Sequence, residues 1–202
     1  MNPSIHRPLR RLALLAVVVA LPLAACVSSG AAPRPGDVPP AAAPAAPAKR
    51  PFEPPPWEAA VYENQEHGFS VHYPLDFGEQ PPQGEGLFTA ASAMQVPRID
   101  VNRTAAPAGP VAPEEVAEGM AASLSQVGGG EATVREAREV TLRDGVTPGV
   151  ESVVEWSFQG FPLQSFVLGV VQGDALITVM VTGMQGGEVT ELSDIAYTLY
   201  FD

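Results

Sequence analysis

The sequence predicts an α+β domain, an antiparallel β-sheet flanked by helices, preceded by a disordered Pro/Ala-rich linker. Three observations carry this. Leu163 to Val171 and Ala175 to Val181 are apolar on both parities, with Gln172-Gly173-Asp174 between them. Strands of that kind lie centrally in a sheet covered on both faces. Elsewhere apolar and polar residues alternate with the period of a half-buried strand, and two segments carry apolar residues at helical spacing.

In chain order, Phe69, Val71 and Tyr73 alternate with Ser70, His72 and Pro74, and Pro74 ends the strand. Leu87 to Ala93 and Arg98 to Arg103 are expected strands; in the second, Ile99 and Val101 face one way and Arg98, Asp100 and Asn102 the other. Pro113-Glu114-Glu115 opens a helix, because proline suits the first helical position and acids suit the positive end of the dipole. Val116, Met120, Leu124 and Val127 continue it, and Gly128-Gly129-Gly130 stops it. Glu131 to Arg143 leads to a two-residue hairpin signal at Asp144-Gly145. Val150, Val154, Trp156 and Phe158 then share one parity, which places both aromatics in the core, and Gly160 marks the next turn. Val189, Leu192, Ile195 and Leu199 predict a last helix running into a short end at Tyr200-Phe201.

The domain so described spans 59–202. It is preceded by 27–58, where ten prolines and eight alanines cannot bury a core and read as an extended spacer. Before that, His6, Arg7, Arg10 and Arg11 precede an apolar run from Leu12 to Leu23, then Ala24, Ala25 and Cys26. That order is expected of a removable export signal covering residues 1–25. The run is shorter than the roughly 20 residues of a spanning helix. Leu23-Ala24-Ala25-Cys26 resembles the lipobox of bacterial lipoproteins, which implies thioether lipidation of the Cys26 sulfur. Cys26 is the single cysteine, so no disulfide is expected.

All 23 acidic residues follow the expected cleavage site, and the stretch from Ala59 onward holds twenty acids against five basic residues and no lysine. Such a surface repels nucleic acid and anionic head groups, keeps the domain soluble and favours a basic partner.

Tyr62-Glu63-Asn64, His67-Gly68-Phe69-Ser70-Val71 and Tyr73-Pro74-Leu75-Asp76-Phe77 resemble the opening of the PsbP/Mog-like superfamily, including its DcrB-type lipoproteins. Leu142-Arg143-Asp144-Gly145 and the ending Ile195…Tyr197-Thr198-Leu199-Tyr200-Phe201 fit the same plan, while Phe77 stands where many members carry tryptophan. The resemblance covers nearly all of 59–202. It implies an antiparallel sheet sandwiched by helices and non-catalytic assembly, adaptor or ligand-binding roles.

Catalytic constellations are absent from the sequence. There is no Gly-x-Ser-x-Gly elbow, no phosphate loop, no Cys/His zinc spacing and no acidic calcium loop. Glu66, His67, His72 and Asp76 would hold a metal only if their loops folded together, and two surface histidines flanking a strand need no ligand to explain them. Glu114, Glu115 and Glu118 are accounted for by a helix start. No catalytic, cofactor or metal residue is therefore assigned, and Cys26 is the one assigned site. The expected function is a lipid-anchored, non-catalytic envelope protein that binds or assembles with another envelope protein. The alternative is a carrier holding a lipid or other apolar ligand between Leu163–Val181 and the helix bearing Met120 and Leu124. An enzyme has only the glycine loops in its favour. Val27 after the cysteine, rather than aspartate, directs the expectation to an outer membrane where the cell has one.

Overall fold

The computed structural model describes residues 47–84, 86–187 and 189–201. The expected export signal, Cys26 and the linker up to residue 46 lie outside these. Among the described residues the elements run in this order: β1 (Ala59–Asn64), β2 (Phe69–Pro74), β3 (Gly78–Gln80), β4 (Gly86–Ala91), β5 (Arg98–Ala105), α1 (Pro113–Gly128), β6 (Thr133–Thr141), β7 (Pro148–Phe158), β8 (Phe161–Gln172), β9 (Ala175–Met184), α2 (Val189–Ala196) and β10 (Tyr200–Phe201). They form the expected antiparallel α+β arrangement. A large sheet has the order β3-β4-β5-β9-β8-β7-β6, and a small one the order β1-β2-β10.

The two apolar segments become β8 and β9, which pair with each other near the middle of the large sheet, and residues 163–170 are buried without interruption. Their two parities serve two different layers. Phe166, Leu168 and Val170 of β8 and Ile177, Val179 and Val181 of β9 join Ile99 and Val101 of β5 on one face. On that face they meet Phe69, Val71 and Tyr73 of β2, Phe201 of β10 and Leu192, Ile195 and Ala196 of α2. On the other face a smaller cluster of Ala121, Leu124 and Val154 seats α1, with Met120, Trp156 and Met180 packed around it. Burying each large side chain in these layers contributes about 1.5–3 kcal/mol.

Local chemistry sets the boundaries. Pro113 begins α1, and Gly129, at φ 69°, caps it in the left-handed conformation while its N–H bonds the Ser125 carbonyl. The turn between β6 and β7 is longer than the two residues expected at Asp144-Gly145. Leu142 N–H bonds the Thr147 carbonyl, so four residues lie inside it. The cause is Asp144, whose buried carboxylate accepts the N–H groups of Val146 and Thr147 and the Thr147 hydroxyl, holding the loop open at that width. The turn from β7 to β8 is tight: Phe158 pairs with Phe161 across Gln159 and Gly160, both at positive φ.

The last part of the segment read as spacer lies against the domain. Arg50 N–H bonds the Asp144 carbonyl at 2.7 Å, and Lys49 Nζ donates to the Phe201 carbonyl and sits over the Tyr200 ring. Phe52 stacks on His72 at 4.4 Å between ring centroids, and Trp57 packs on the core. Composition missed this because Lys49, Phe52 and Trp57 are isolated among prolines. Polyproline-like chain keeps its backbone straight, and a few side chains suffice to lay it down.

Candidate functional site

Polar groups that resemble catalytic parts are spent on structure. Glu151, buried on β7, accepts from Arg138 of β6 and from the Tyr197 hydroxyl beyond α2. Burial, then this bond and the carboxylate's charge, push the Tyr197 phenol well above its ordinary value, so it stays protonated and donates. Asp100 takes Arg98 side-on, through Nε at 2.8 Å and Nη2 at 2.7 Å, and also the Thr89 hydroxyl. Trp156 Nε1 donates to Ser165 Oγ at 3.0 Å, which meets Thr182 Oγ1 at 2.8 Å. None of these carboxylates stands free in a cleft as a base.

The four candidate metal ligands do not come together. Glu66 and His67 lie in the β1–β2 turn beside Arg103 and Asp174, in a cleft of about 260 Å³. Asp76 follows the opposite end of β2, and His72 lies under Phe52. Among the described residues no cluster of three His, Cys, Asp or Glu side chains is placed to hold a metal.

The space between α1 and the sheet, where the alternative carrier reading puts an apolar ligand, is filled by Met120, Leu124, Val154, Trp156 and Met180. An open groove of about 690 Å³ lies instead beyond the start of α1, between the Gly109-Pro110-Val111 loop and Val150, Gly169, Val171 and Leu176.

At the other end of α1 the sheet presents apolar side chains to solvent. Phe158 is 40% exposed, Phe161 61%, Met184 47% and Val127, at the end of α1, 64%. The pairing places the three sheet residues together: Phe158 opposes Phe161, Trp156 opposes Leu163, and Leu163 opposes Met184, all on the α1 face. Trp156 supports the patch from below, its ring edge-on to Phe158 at 6.5 Å. The core position expected of Phe158 is therefore wrong, although that of Trp156 holds. Parity was read correctly, but β7 and β8 outrun α1, so the last aromatic of the apolar face has no helix above it. Phe161, Met184 and Val127 were missed. The one signal available was the run from Trp156 to Gly173, which has no charged residue in a strongly acidic chain.

No family model matches the chain. No curated protein matches it either. Solved structures do. Cyanobacterial PsbP (CyanoP) from Synechocystis sp. PCC 6803 superposes with a TM-score of 0.54 at 13% identity, covering 71% of this chain and 92% of that one. The Saccharomyces cerevisiae Ran-binding protein Mog1p gives 0.53 at 10% identity, covering 72% and 96%. The domain has the PsbP/Mog-like fold. Both structures are matched over nearly their whole length, so this PsbP/Mog-like domain agrees in architecture with the resemblance read in its opening and closing residues. At these identities the likeness describes the fold alone.

Proposed function

We propose that this protein is a non-catalytic binding or assembly module of the bacterial cell envelope, tethered by lipid on Cys26 and docking on another envelope protein. The observation that carries the reading is the exposed apolar patch of Phe158, Phe161 and Met184. Soluble monomers leave single apolar residues on their surface, but grouped aromatics over a supporting tryptophan are the composition of docking surfaces. The saturation of the buried carboxylates by partners in the same chain supports a module without chemistry of its own. Mog1p, of the same fold, is named for binding another protein, Ran. Two acyl chains or more on Cys26 hold the module at a membrane, since each buried CH₂ contributes about 0.8 kcal/mol. Val27 after the cysteine directs it to the outer membrane of a Gram-negative cell.

The test is in-cell crosslinking of the tagged full-length chain beside a Cys26→Ala form, with co-purified proteins and lipids identified by mass spectrometry. The reading expects one dominant protein that is depleted in the unlipidated form. A stoichiometric lipid on both forms with no protein partner would overturn it and put the carrier reading in its place, with the groove beside Val171 and Leu176 as the ligand's position.

A further inference from the structure

Arg103 is a charged residue on the buried parity of a strand. Ile99, Val101 and Arg103 point to the same face of β5, and the first two are core. Arg103 pairs with Ile177 of β9, which is also core. The guanidinium thus emerges where that core layer gives way to the cleft holding Glu66 and His67.

The other four arginines of the domain are each taken up by a carboxylate: Arg98 by Asp100, Arg135 by Glu155, Arg138 by Glu151 and Arg143 by Asp194. Arg103 is held more loosely. Its Nη2 stands 3.5 Å from Asp174, whose side chain is 95% exposed, and its buried Nε has no hydrogen-bond partner among the described residues. A buried N–H left unpaired costs free energy that an incoming acceptor recovers.

Backbone bonds fix the walls around it. In the β1–β2 turn the His67 N–H bonds Asn64 Oδ1 at 3.0 Å, and in the β8–β9 turn the Asp174 carbonyl accepts the Ala106 N–H at 2.9 Å. Walls already in place leave a ligand little to order. The volume of about 260 Å³ suits a molecule of amino-acid size and falls below the roughly 300 Å³ at which pockets for drug-sized ligands begin. Charge selects further. One guanidinium faces two carboxylates, Glu66 and Asp174, in a strongly acidic domain. A simple anion is repelled there, and a simple cation leaves the Arg103 Nε unpaired. A zwitterion answers both signs.

We infer that this cleft binds a free α-amino acid. The ligand carboxylate takes the Arg103 guanidinium with its unpaired Nε, the ammonium group takes Glu66 and Asp174, and a short apolar side chain lies against Ala175 and Ile177. Asp174, almost fully exposed, turns from the guanidinium to the ammonium group as the ligand enters. This site is separate from the apolar patch of the binding module, so neither reading falls with the other.

Nuclear magnetic resonance on the isotope-labelled full-length protein in detergent micelles tests this, with L-valine as the probe. The Arg103 Nε–H resonance should move downfield with a dissociation constant of about 1 mM, the range open to so small a ligand. Isovalerate, which lacks the ammonium group, and isobutylamine, which lacks the carboxylate, should each bind at least tenfold more weakly. Arg103→Lys keeps the charge but loses the fork, and should weaken valine at least tenfold as followed at the Gly173 amide. Arg135→Lys, on β6, should change nothing. Should the lysine variant fail to fold, Glu66→Gln with Asp174→Asn serves instead: it should reverse the preference, so that isovalerate binds more tightly than valine. No movement of the Arg103 resonance with valine well above that concentration would overturn the proposal. So would isovalerate binding as well as valine to the parent, or an unchanged preference in the Glu66→Gln, Asp174→Asn protein. Tighter binding of phosphoethanolamine than of valine would assign the cleft to a lipid head group and overturn the amino acid.

Discussion

The backbone of Gly128 lies so close to that of Ser157 that a Cβ on the glycine would come within 2.1 Å of the Ser157 carbonyl oxygen and 3.2 Å of the Trp156 ring. The last turn of α1 is thereby set against the end of β7, next to the strand pair that carries the aromatic tip. In sequence Gly128 reads as a helix stop. In the fold it is the point of contact between helix and hairpin, and the stop is Gly129.

Gly128→Ala should therefore be costly despite the higher helix propensity of alanine. The clash is with backbone, which cannot swing aside, so α1 must lift from β7. The expected loss is about 3 kcal/mol, at the upper end of overpacking penalties. Urea unfolding of the variant checks it; a variant as stable as the parent would mean that the helix end is not seated on Ser157.

Changes at the tip of the β7–β8 hairpin should cost little stability. Phe161→Ser removes mostly exposed apolar surface, with an expected effect on unfolding within about 0.5 kcal/mol, and Phe158→Ser, which also loses the edge contact with Trp156, should cost about 1 kcal/mol. Self-association at high concentration should fall in both, measured by sedimentation. A loss of several kcal/mol in either would show that the side chain belongs to the core after all.

Gln159 holds φ 50° in the β7–β8 turn, where Asn-Gly is the preferred pair. Gln159→Asn should stabilise the domain by about 0.5 kcal/mol, because asparagine tolerates the left-handed region better than glutamine. Thermal melting reads this as a small rise in Tm without change in the fold.

Asp144 should be the most acid-sensitive anchor of the β6–β7 turn. Burial alone pushes its carboxyl up, but bonds from the Thr147 hydroxyl and N–H and the Val146 N–H, with the charge of Lys49, hold it below its ordinary 3.8. Its contribution is thus fully present above pH 3.8 and lost as pH falls below that value. Asp144→Ala leaves those donors unpaired and should cost about 3 kcal/mol at neutral pH. The difference between parent and variant should shrink in acid, which unfolding curves at pH 7 and pH 3 decide.

His72 gives the docked N-terminal segment a pH dependence. Burial holds its pKa below the ordinary 6.5, so the folded state favours the neutral ring stacked on Phe52. The sign follows: docking is at full strength above pH 6.5 and weakens as pH falls below it, where the unfolded or undocked chain takes up the proton more readily. The protection of the Arg50 N–H, which bonds Asp144, taken relative to the intrinsic exchange rate at each pH, should fall between pH 6.5 and pH 5 in the parent and show no such step in Phe52→Ala.

The sequence by itself determined the layers. Two runs apolar on both parities required a sheet covered on both faces, and the alternation in β2, β5 and β7 assigned their side chains to inside or outside. Pro113 with its two acids began α1. These are local signals, written in the period of side chains along a single strand or helix. The short β3 and the strand β1 escaped such reading, since three to six residues of mixed character show no period. Only the tertiary structure decided how far each element is covered. Trp156 and Phe158 have the same parity and nearly the same chemistry. One is supported under α1 and the other emerges beyond it, because α1 turns aside at Gly129 while β7 runs on to its hairpin. Covering depends on the relative lengths and angles of elements distant in sequence, which no local pattern encodes. For the same reason Phe52 and Trp57, unremarkable among prolines, became part of the domain once β2 and β10 were in place to receive them.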